Sequence, residues 1–77
     1  MPKRIVKVYP DVVASMSEWL VPDGESVEKG DLIGRVESMK TMYDIHAPAS
    51  GVLRYNVDLG EVVGQEDAIA VIEASDE

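Results

Sequence analysis

The segment with the clearest chemical potential is 36–46, in which a single lysine, Lys40, stands between two methionines. The segment contains neither glycine nor proline, yet the chain must reverse direction between the strand ending near Glu37 and the next strand. A tight hairpin with Met39 and Lys40 at its tip satisfies both conditions, although Asn-Gly or Asp-Gly would be the favoured turn. The sequence therefore predicts an exposed lysine amine on a turn. The residues of this turn are not those that favour turn formation, which indicates that they have another role.

A lysine at a hairpin tip is usually no more than a solvated charge. Here, however, Lys40 is the only lysine after Lys29, and we expect its neighbour Met39 to be exposed. Exposing an apolar side chain forgoes roughly 1.5–3 kcal/mol of burial free energy, and methionine-rich surfaces are commonly used for recognition. Met42 falls within a strand pattern, which favours packing against the protein body. The site hypothesis is therefore Lys40, with Met39, Thr41 and Met42 as flanking residues.

Catalysis by the chain itself finds little support. The sequence has no cysteine, and His46 is its only histidine, which we expect to be a surface or half-buried strand residue. A zinc site usually takes three or four ligands, and nucleophilic catalysis needs a nucleophile, a base and a pocket. The remaining cluster of acids lacks the spacing of a calcium loop and is expected to form a solvated face: Asp23, Glu25, Glu28 and Asp31. We therefore expect a non-catalytic chain with no metal.

Short apolar runs separated by turn signals predict an all-β fold. Turn sequences such as Pro22-Asp23-Gly24 and Pro48-Ala49-Ser50-Gly51 separate the runs and leave no room for crossover helices. The expected strands, of about 4–8 residues each, are Ile5–Val8, Met16–Val21, Leu32–Val36, Gly51–Val57 and Ala68–Ile72. We expect Trp19 to pack against this barrel rather than to serve as an exposed anchor.

An internal repeat organises the strands. Residues 21–38 align with residues 57–74 at an offset of 36. Two similar halves imply a pseudo-two-fold domain in which each half covers the apolar face of the other. The same symmetry places residues 38–41 at one end of the molecule and the chain termini at the other. The matched pairs include Gly24 with Gly60, Val27 with Val63, Asp31 with Asp67, Ile33 with Ile69 and Val36 with Ile72.

The hairpin and the repeat together resemble the biotinyl/lipoyl attachment domain family, over the range 13–73. The segment Glu37-Ser38-Met39-Lys40-Thr41-Met42, followed by Ile45, Ala47-Pro48 and Gly51-Val52, is similar to the attachment hairpin of biotin carboxyl carrier domains. The resemblance implies a flattened barrel, or barrel-sandwich hybrid, of two four-stranded antiparallel sheets with pseudo-two-fold symmetry. It also implies that 1–77 is a single carrier domain with its modified lysine on a hairpin turn.

The resemblance further implies a swinging-arm cofactor carrier. Biotin would be joined to Lys40 by a biotin protein ligase, and the chain itself would not be an enzyme but a component of a larger one. In the mechanism of the family, a biotin carboxylase site places CO2 on the biotin ureido nitrogen, and the arm delivers it to a carboxyltransferase site. Met39, Thr41 and Met42 would then be recognition residues around the covalent attachment.

Two alternatives stay open. Lipoyl domains resemble the chain too, in Ser17-Glu18-Trp19-Leu20-Val21 and in the start Met1-Pro2-Lys3, but they usually place an acid before the lysine where this chain has Met39. Such a carrier would receive lipoate from a lipoate ligase and serve a 2-oxo acid dehydrogenase-type complex. The other alternative is an unmodified barrel that only docks partners, because a fold does not determine its function.

The composition of the chain argues against two classes of partner, nucleic acids and membranes. Seven basic residues against fifteen acidic ones give a formal net charge of −8, and the basic residues form no cluster, so nucleic acid is not an expected partner. No apolar run approaches the ~20 residues of a membrane helix, so a membrane is not expected either. The sequence shows no secretion signal, and together with the absence of cysteine this leads us to expect a cytoplasmic protein.

Overall fold

Eight antiparallel strands make up the fold in a computed structural model, which describes the backbone of residues 3–75 and the side chains of residues 4–74. Most of the N-terminal segment Met1-Pro2-Lys3 therefore lies outside the described residues. Residues 3–75 form no helix of the length and apolarity that a membrane crossing needs. In chain order the strands are β1 (Lys3–Val8), β2 (Ala14–Trp19), β3 (Ser26–Val27), β4 (Leu32–Ser38), β5 (Thr41–His46), β6 (Gly51–Tyr55), β7 (Val62–Val63) and β8 (Ala70–Ser75).

The strands form two four-stranded sheets, in the orders β1-β8-β6-β3 and β5-β4-β2-β7, and all pairs are antiparallel. The two orders match position by position, and the repeat relates the matched strands: for example, β8 corresponds to β4, and β3 corresponds to β7. The described chain is elongated, with extents of 42 × 21 × 18 Å. The expected flattened barrel of two four-stranded antiparallel sheets is confirmed.

The repeat extends to individual hydrogen bonds. Asp31 and Asp67 each accept a hydrogen bond at Oδ2 from the backbone N–H three residues earlier, at 2.8 Å in both halves. Gly24 and Gly60 adopt left-handed backbone angles, with φ of 89° and 86°, at equivalent turns. The matched glycines and acids of the sequence therefore mark matched turns because each supplies the same backbone angle or acceptor.

The core lies between the sheets and is built from the matched apolar positions. Its largest fully buried side chains come from both halves, and no polar or charged residue among the described ones is buried. All six core residues paired by the repeat are at most 5% exposed: Val27, Val63, Ile33, Ile69, Val36 and Ile72. Because the two inner faces carry the same kind of residue, each half covers the apolar surface of the other.

Trp19 packs against the barrel, as expected. Its ring stacks on that of Tyr55, its equivalent in the second half, with centroids 4.0 Å apart and planes 9° from parallel. The Tyr55 hydroxyl donates a hydrogen bond to the carbonyl oxygen of Val21 at 2.6 Å. Desolvation raises the pKa of Tyr55, and the negative charge of Asp23 adds to this effect. The stacked rings join β2 of one sheet to β6 of the other, and they supply aromatic bulk to a chain without phenylalanine.

The expected strands are found, and every boundary agrees with the expectation to within three residues. The strand expected over 16–21 runs from Ala14 to Trp19, and the one expected over 68–72 runs from Ala70 to Ser75. The two-residue strands β3 and β7 were not among the expected strands, because two residues are too few to show an alternating pattern. Strand β5 follows from the hairpin and forms one edge of its sheet.

Candidate functional site

Lys40 lies in the two-residue turn that joins β4 to β5. The strands stay paired up to Ser38 and Thr41, which face each other directly before the turn. Met39 and Lys40 have φ angles of 51° and 66°, and they are the only non-glycine residues with positive φ in the described chain. Positive φ at both central positions is the signature of a type I′ turn, which matches the twist of the two strands. The predicted hairpin tip is therefore where the structure places both residues.

This backbone geometry is unfavourable for the residues that adopt it. Type I′ turns favour Asn, Asp and Gly, and a left-handed conformation costs other residues about 1–2 kcal/mol each. A methionine and a lysine therefore occupy a turn that smaller residues would form more easily. The identity of these two side chains is explained by what they present to solvent, since the turn itself does not require them.

The flanking side chains differ in their surroundings. Met39 is 94% exposed, which confirms the expectation for the tip. The expectation that Met42 packs against the body is wrong, because Met42 is 45% exposed. It pairs with Glu37 on the outer face of its sheet, and β5 has a neighbouring strand on one side only. Thr41 is exposed beside the turn, so all four predicted site residues lie together at one accessible tip.

We expect Met39→Asn to stabilise the fold and, on the hypothesis that Lys40 is the attachment residue, to impair its modification. Asparagine tolerates the left-handed conformation, so the free energy of unfolding should rise by about 1 kcal/mol. The apolar side chain beside the lysine is lost at the same time, so the rate of acylation by a ligase should fall. Urea unfolding and a ligation time course measure the two effects. Met42→Asn is the control, since it also removes a methionine but at a position with ordinary strand geometry; an equal gain in stability there would contradict the explanation.

Charged side chains lie along the two strands of the hairpin. Arg35 on β4 donates hydrogen bonds to Glu18 at 2.9 Å and to Asp44 at 3.0 Å, which forms a charged row across three strands. The hydrogen bonds that Arg35 donates to Glu18 and then to Asp44 raise the pKa of Arg35, although its position near solvent keeps the stabilisation small. Glu37 lies exposed one residue pair from the turn. Lys40 is the only lysine or arginine between residues 36 and 53, and the nearest acid along the hairpin is Glu37.

The other residues weighed for chemistry lie away from the turn. His46 is exposed at the far end of β5, as expected for a surface strand residue. Within residues 3–75, no group of three or more His, Asp or Glu side chains is placed to hold a metal. The four acids of the first turn region are exposed, and the structure adds a role for two of them, because Asp31 accepts a hydrogen bond from Glu28 N and Asp23 from Tyr55 N.

Comparisons with known proteins agree with this geometry. Residues 7–72 match the model of the biotin/lipoyl family, described as "Biotin-requiring enzyme". The chain is 36% identical over 66 residues to the biotinylated protein TB7.3 homolog of Mycobacterium leprae, which covers 84% of this chain and 93% of that protein. It is 51% identical over 43 residues to the glycine cleavage system H protein of Dinoroseobacter shibae, covering 54% of this chain and 35% of that protein.

Solved structures share the fold. The urea carboxylase of Kluyveromyces lactis superimposes with a TM-score of 0.81 and 27% identity, over 94% of this chain. A single-chain, multi-domain long-chain acyl-CoA carboxylase superimposes with the same TM-score at 22% identity, over 95% of this chain, and shows likeness of fold alone. The chain spans only 6% and 7% of the lengths of these two enzymes.

Proposed function

The chain belongs to the biotin/lipoyl attachment family, and from this premise we propose that it is a carrier domain with biotin attached through an amide to Lys40. The observation that carries the proposal is the β4–β5 turn, where Met39 and Lys40 hold an unfavourable backbone conformation and Met39 is 94% exposed. A turn of this kind projects one amine away from the barrel. An attaching enzyme can then reach the amine without disturbing the core.

The residues of the tip suit attachment of a carboxylic acid. The deprotonated amine of Lys40 would attack the carbonyl carbon of an acyl adenylate, so that a C–N bond forms as the C–O bond to the phosphate breaks. AMP leaves, and the nitrogen, which became positively charged on attack, releases one proton to solvent. The product is a neutral amide, which removes one positive charge from an already acidic surface. When bound, biotin supplies a ureido nitrogen that can carry a carboxyl group between two active sites.

The chain itself would contribute position rather than catalysis. Strands β4 and β5 are paired up to the residues next to the turn, so the anchor of the tether is fixed to a rigid sheet. A tethered group reaches each partner site at high effective concentration without new contacts. We propose that these sites belong to a biotin carboxylase and a carboxyltransferase. This chain is similar to one segment, 6% of the length, of a urea carboxylase, so the two active sites would lie on other domains or chains.

Biotin is favoured over lipoate by the attachment hairpin. Met39 precedes the lysine where lipoyl domains usually carry an acid, one relative is named as biotinylated, and one structural neighbour is named as a urea carboxylase. A lipoyl carrier remains the second candidate, because residues 17–21 resemble that branch of the family. The two candidates share the anchor, Lys40, and differ in the ligase that reads the turn.

Intact mass after parallel incubation with a biotin ligase and a lipoate ligase tests the proposal. Each reaction contains ATP and its own acid, together with a known carrier that shows the ligase to be active. We expect a single biotinyl addition and no lipoyl addition. A lipoyl addition alone would keep the swinging arm and reject biotin. No addition from either active ligase to the folded chain would reject the carrier function.

A further inference from the structure

A row of paired residues crosses the outer face of the sheet that carries Lys40. Ser15 on β2 pairs with Val62 on β7 and with Glu37 on β4, and Glu37 pairs with Met42 on β5. Residues that are directly opposed across strands share one face of a sheet. Val62 is 73% exposed, so this face is open to solvent at β7 as well as at Met42. With strands about 4.8 Å apart, the row spans about 14 Å.

Val13 lies on the same face, nearer the turn. It precedes β2 and is 62% exposed, whereas its neighbour Ala14 is buried at 5%. Continuing the β2–β4 register by two residues beyond the pair of Ser15 and Glu37 brings Val13 level with Met39. We call Val13, Met39, Met42 and Val62 the apolar collar. It joins residues that are distant in sequence around one side of the Lys40 turn.

The second half of the repeat shows that the barrel does not require valine at positions 13 and 62. The equivalent row on the other sheet pairs Ser26 with Val52, Val52 with Glu73, and Glu73 with Ile5. Val62 therefore corresponds to the exposed Ser26. Val13 corresponds to Ser50, also exposed, since a bulge between Met16 and Glu18 changes the offset from 36 to 37 in this part of β2. The positions of Val13 and Val62 are thus apolar beside Lys40 and serine at the other end, whereas Met42 corresponds to the apolar Ile5 and Ser15 to Val52.

We infer that Val13 and Val62 extend the surface that the ligase contacts when it acylates Lys40, an inference that rests on the proposed function. Clustered exposed apolar side chains typically mark interaction sites. The collar encloses Glu37 and adjoins the exposed Glu61, so its partner should present an apolar surface with a basic rim. A second copy of this chain fits poorly, because it would bring the same acids together and each copy carries a net charge of −8.

The test replaces the collar valines with the residues of the other half. The double variant Val13→Ser/Val62→Ser copies Ser50 and Ser26, and Ile5→Ser is the matched control, since Ile5 is a 52% exposed apolar residue equivalent to Met42 but remote from Lys40. Initial rates of biotin incorporation are measured against carrier concentration at fixed biotin ligase. We expect kcat/KM of the double variant to fall roughly tenfold, mainly through KM, with Ile5→Ser unchanged.

The outcomes separate the inference from the proposed function. If the wild-type chain accepts biotin and the folded double variant keeps its rate, the inference alone fails. An equal loss of kcat/KM in Ile5→Ser would also overturn it, because an exposed apolar residue far from Lys40 would then matter as much as the collar valines. Concentration-dependent dimers of the wild type that disappear in Val62→Ser would assign the surface to self-association instead. A wild-type chain that accepts nothing from an active ligase would remove the proposed function, and the inference with it.

Discussion

Lys40→Arg should abolish the proposed covalent modification while leaving the fold intact, and this is the largest functional effect that we expect of any single substitution. Arginine keeps the positive charge and a side chain of similar reach, but its guanidinium stays protonated at any working pH and cannot attack an acyl adenylate. Because the side chain at position 40 is exposed, the free energy of unfolding should change by no more than about 0.5 kcal/mol. Intact mass after incubation with ligase measures the loss.

Two further variants make this result specific. Lys29→Arg changes another exposed lysine by the same chemistry and should be modified at the wild-type rate. Lys40→Ala removes the amine without adding a guanidinium and should also remain unmodified. Trp19 is the only tryptophan and stacks on Tyr55, so its fluorescence reports on the fold of each variant. If Lys40→Ala unfolds the chain, or if Lys40→Arg still gains the cofactor, Lys40 is not the anchor.

The hairpin and the repeat could be predicted because each depends on local, one-dimensional information. Pairs such as Gly24 with Gly60 and Asp31 with Asp67 recur at one spacing, since the same turn needs the same backbone angle and the same acceptor each time. The position of Lys40 follows from the repeat as well. The chain must turn where the first half ends, and the residues available there are Met39 and Lys40.

The surroundings of Lys40 could not be predicted in the same way. Whether Met42 faces the core or solvent depends on which strands flank β5, and the sequence of β5 alone does not contain that information. The closeness of Val13 and Val62 to the hairpin depends on the register of β2 with both β4 and β7. One sequence signal for Val62 existed, since the repeat aligns it with Ser26. The difference between the aligned valine and serine can be interpreted only when the pairing of both strands with their neighbours is known.

Gly51→Ala should have the largest effect on stability. A β-carbon at position 51 would overlap the carbonyl oxygen of Glu73 on the neighbouring strand and lie 2.8 Å from Cγ2 of Ile72, which is fully buried. Backbone in the middle of a sheet cannot move aside cheaply, so we expect a loss of about 3 kcal/mol in the free energy of unfolding. A domain of this size has roughly 4–12 kcal/mol in total. Thermal unfolding should shift down by on the order of 10 to 20 °C.

Gly30→Ala provides the comparison that isolates this contact. Gly30 has a φ of 95°, and no atom lies within 4 Å of the point that a β-carbon would occupy, so its substitution should cost only the backbone strain of about 1–2 kcal/mol. An equal or smaller loss in Gly51→Ala would show that strand β8 is not held against Gly51. Gly51 belongs to the segment that resembles the family's attachment hairpin, yet it lies on β6 and contacts β8, in the sheet that does not carry Lys40. Under the proposed function, folded Gly51→Ala at low temperature should therefore still be modified at Lys40, because Gly51 serves the packing of strands and lies outside the β4–β5 turn.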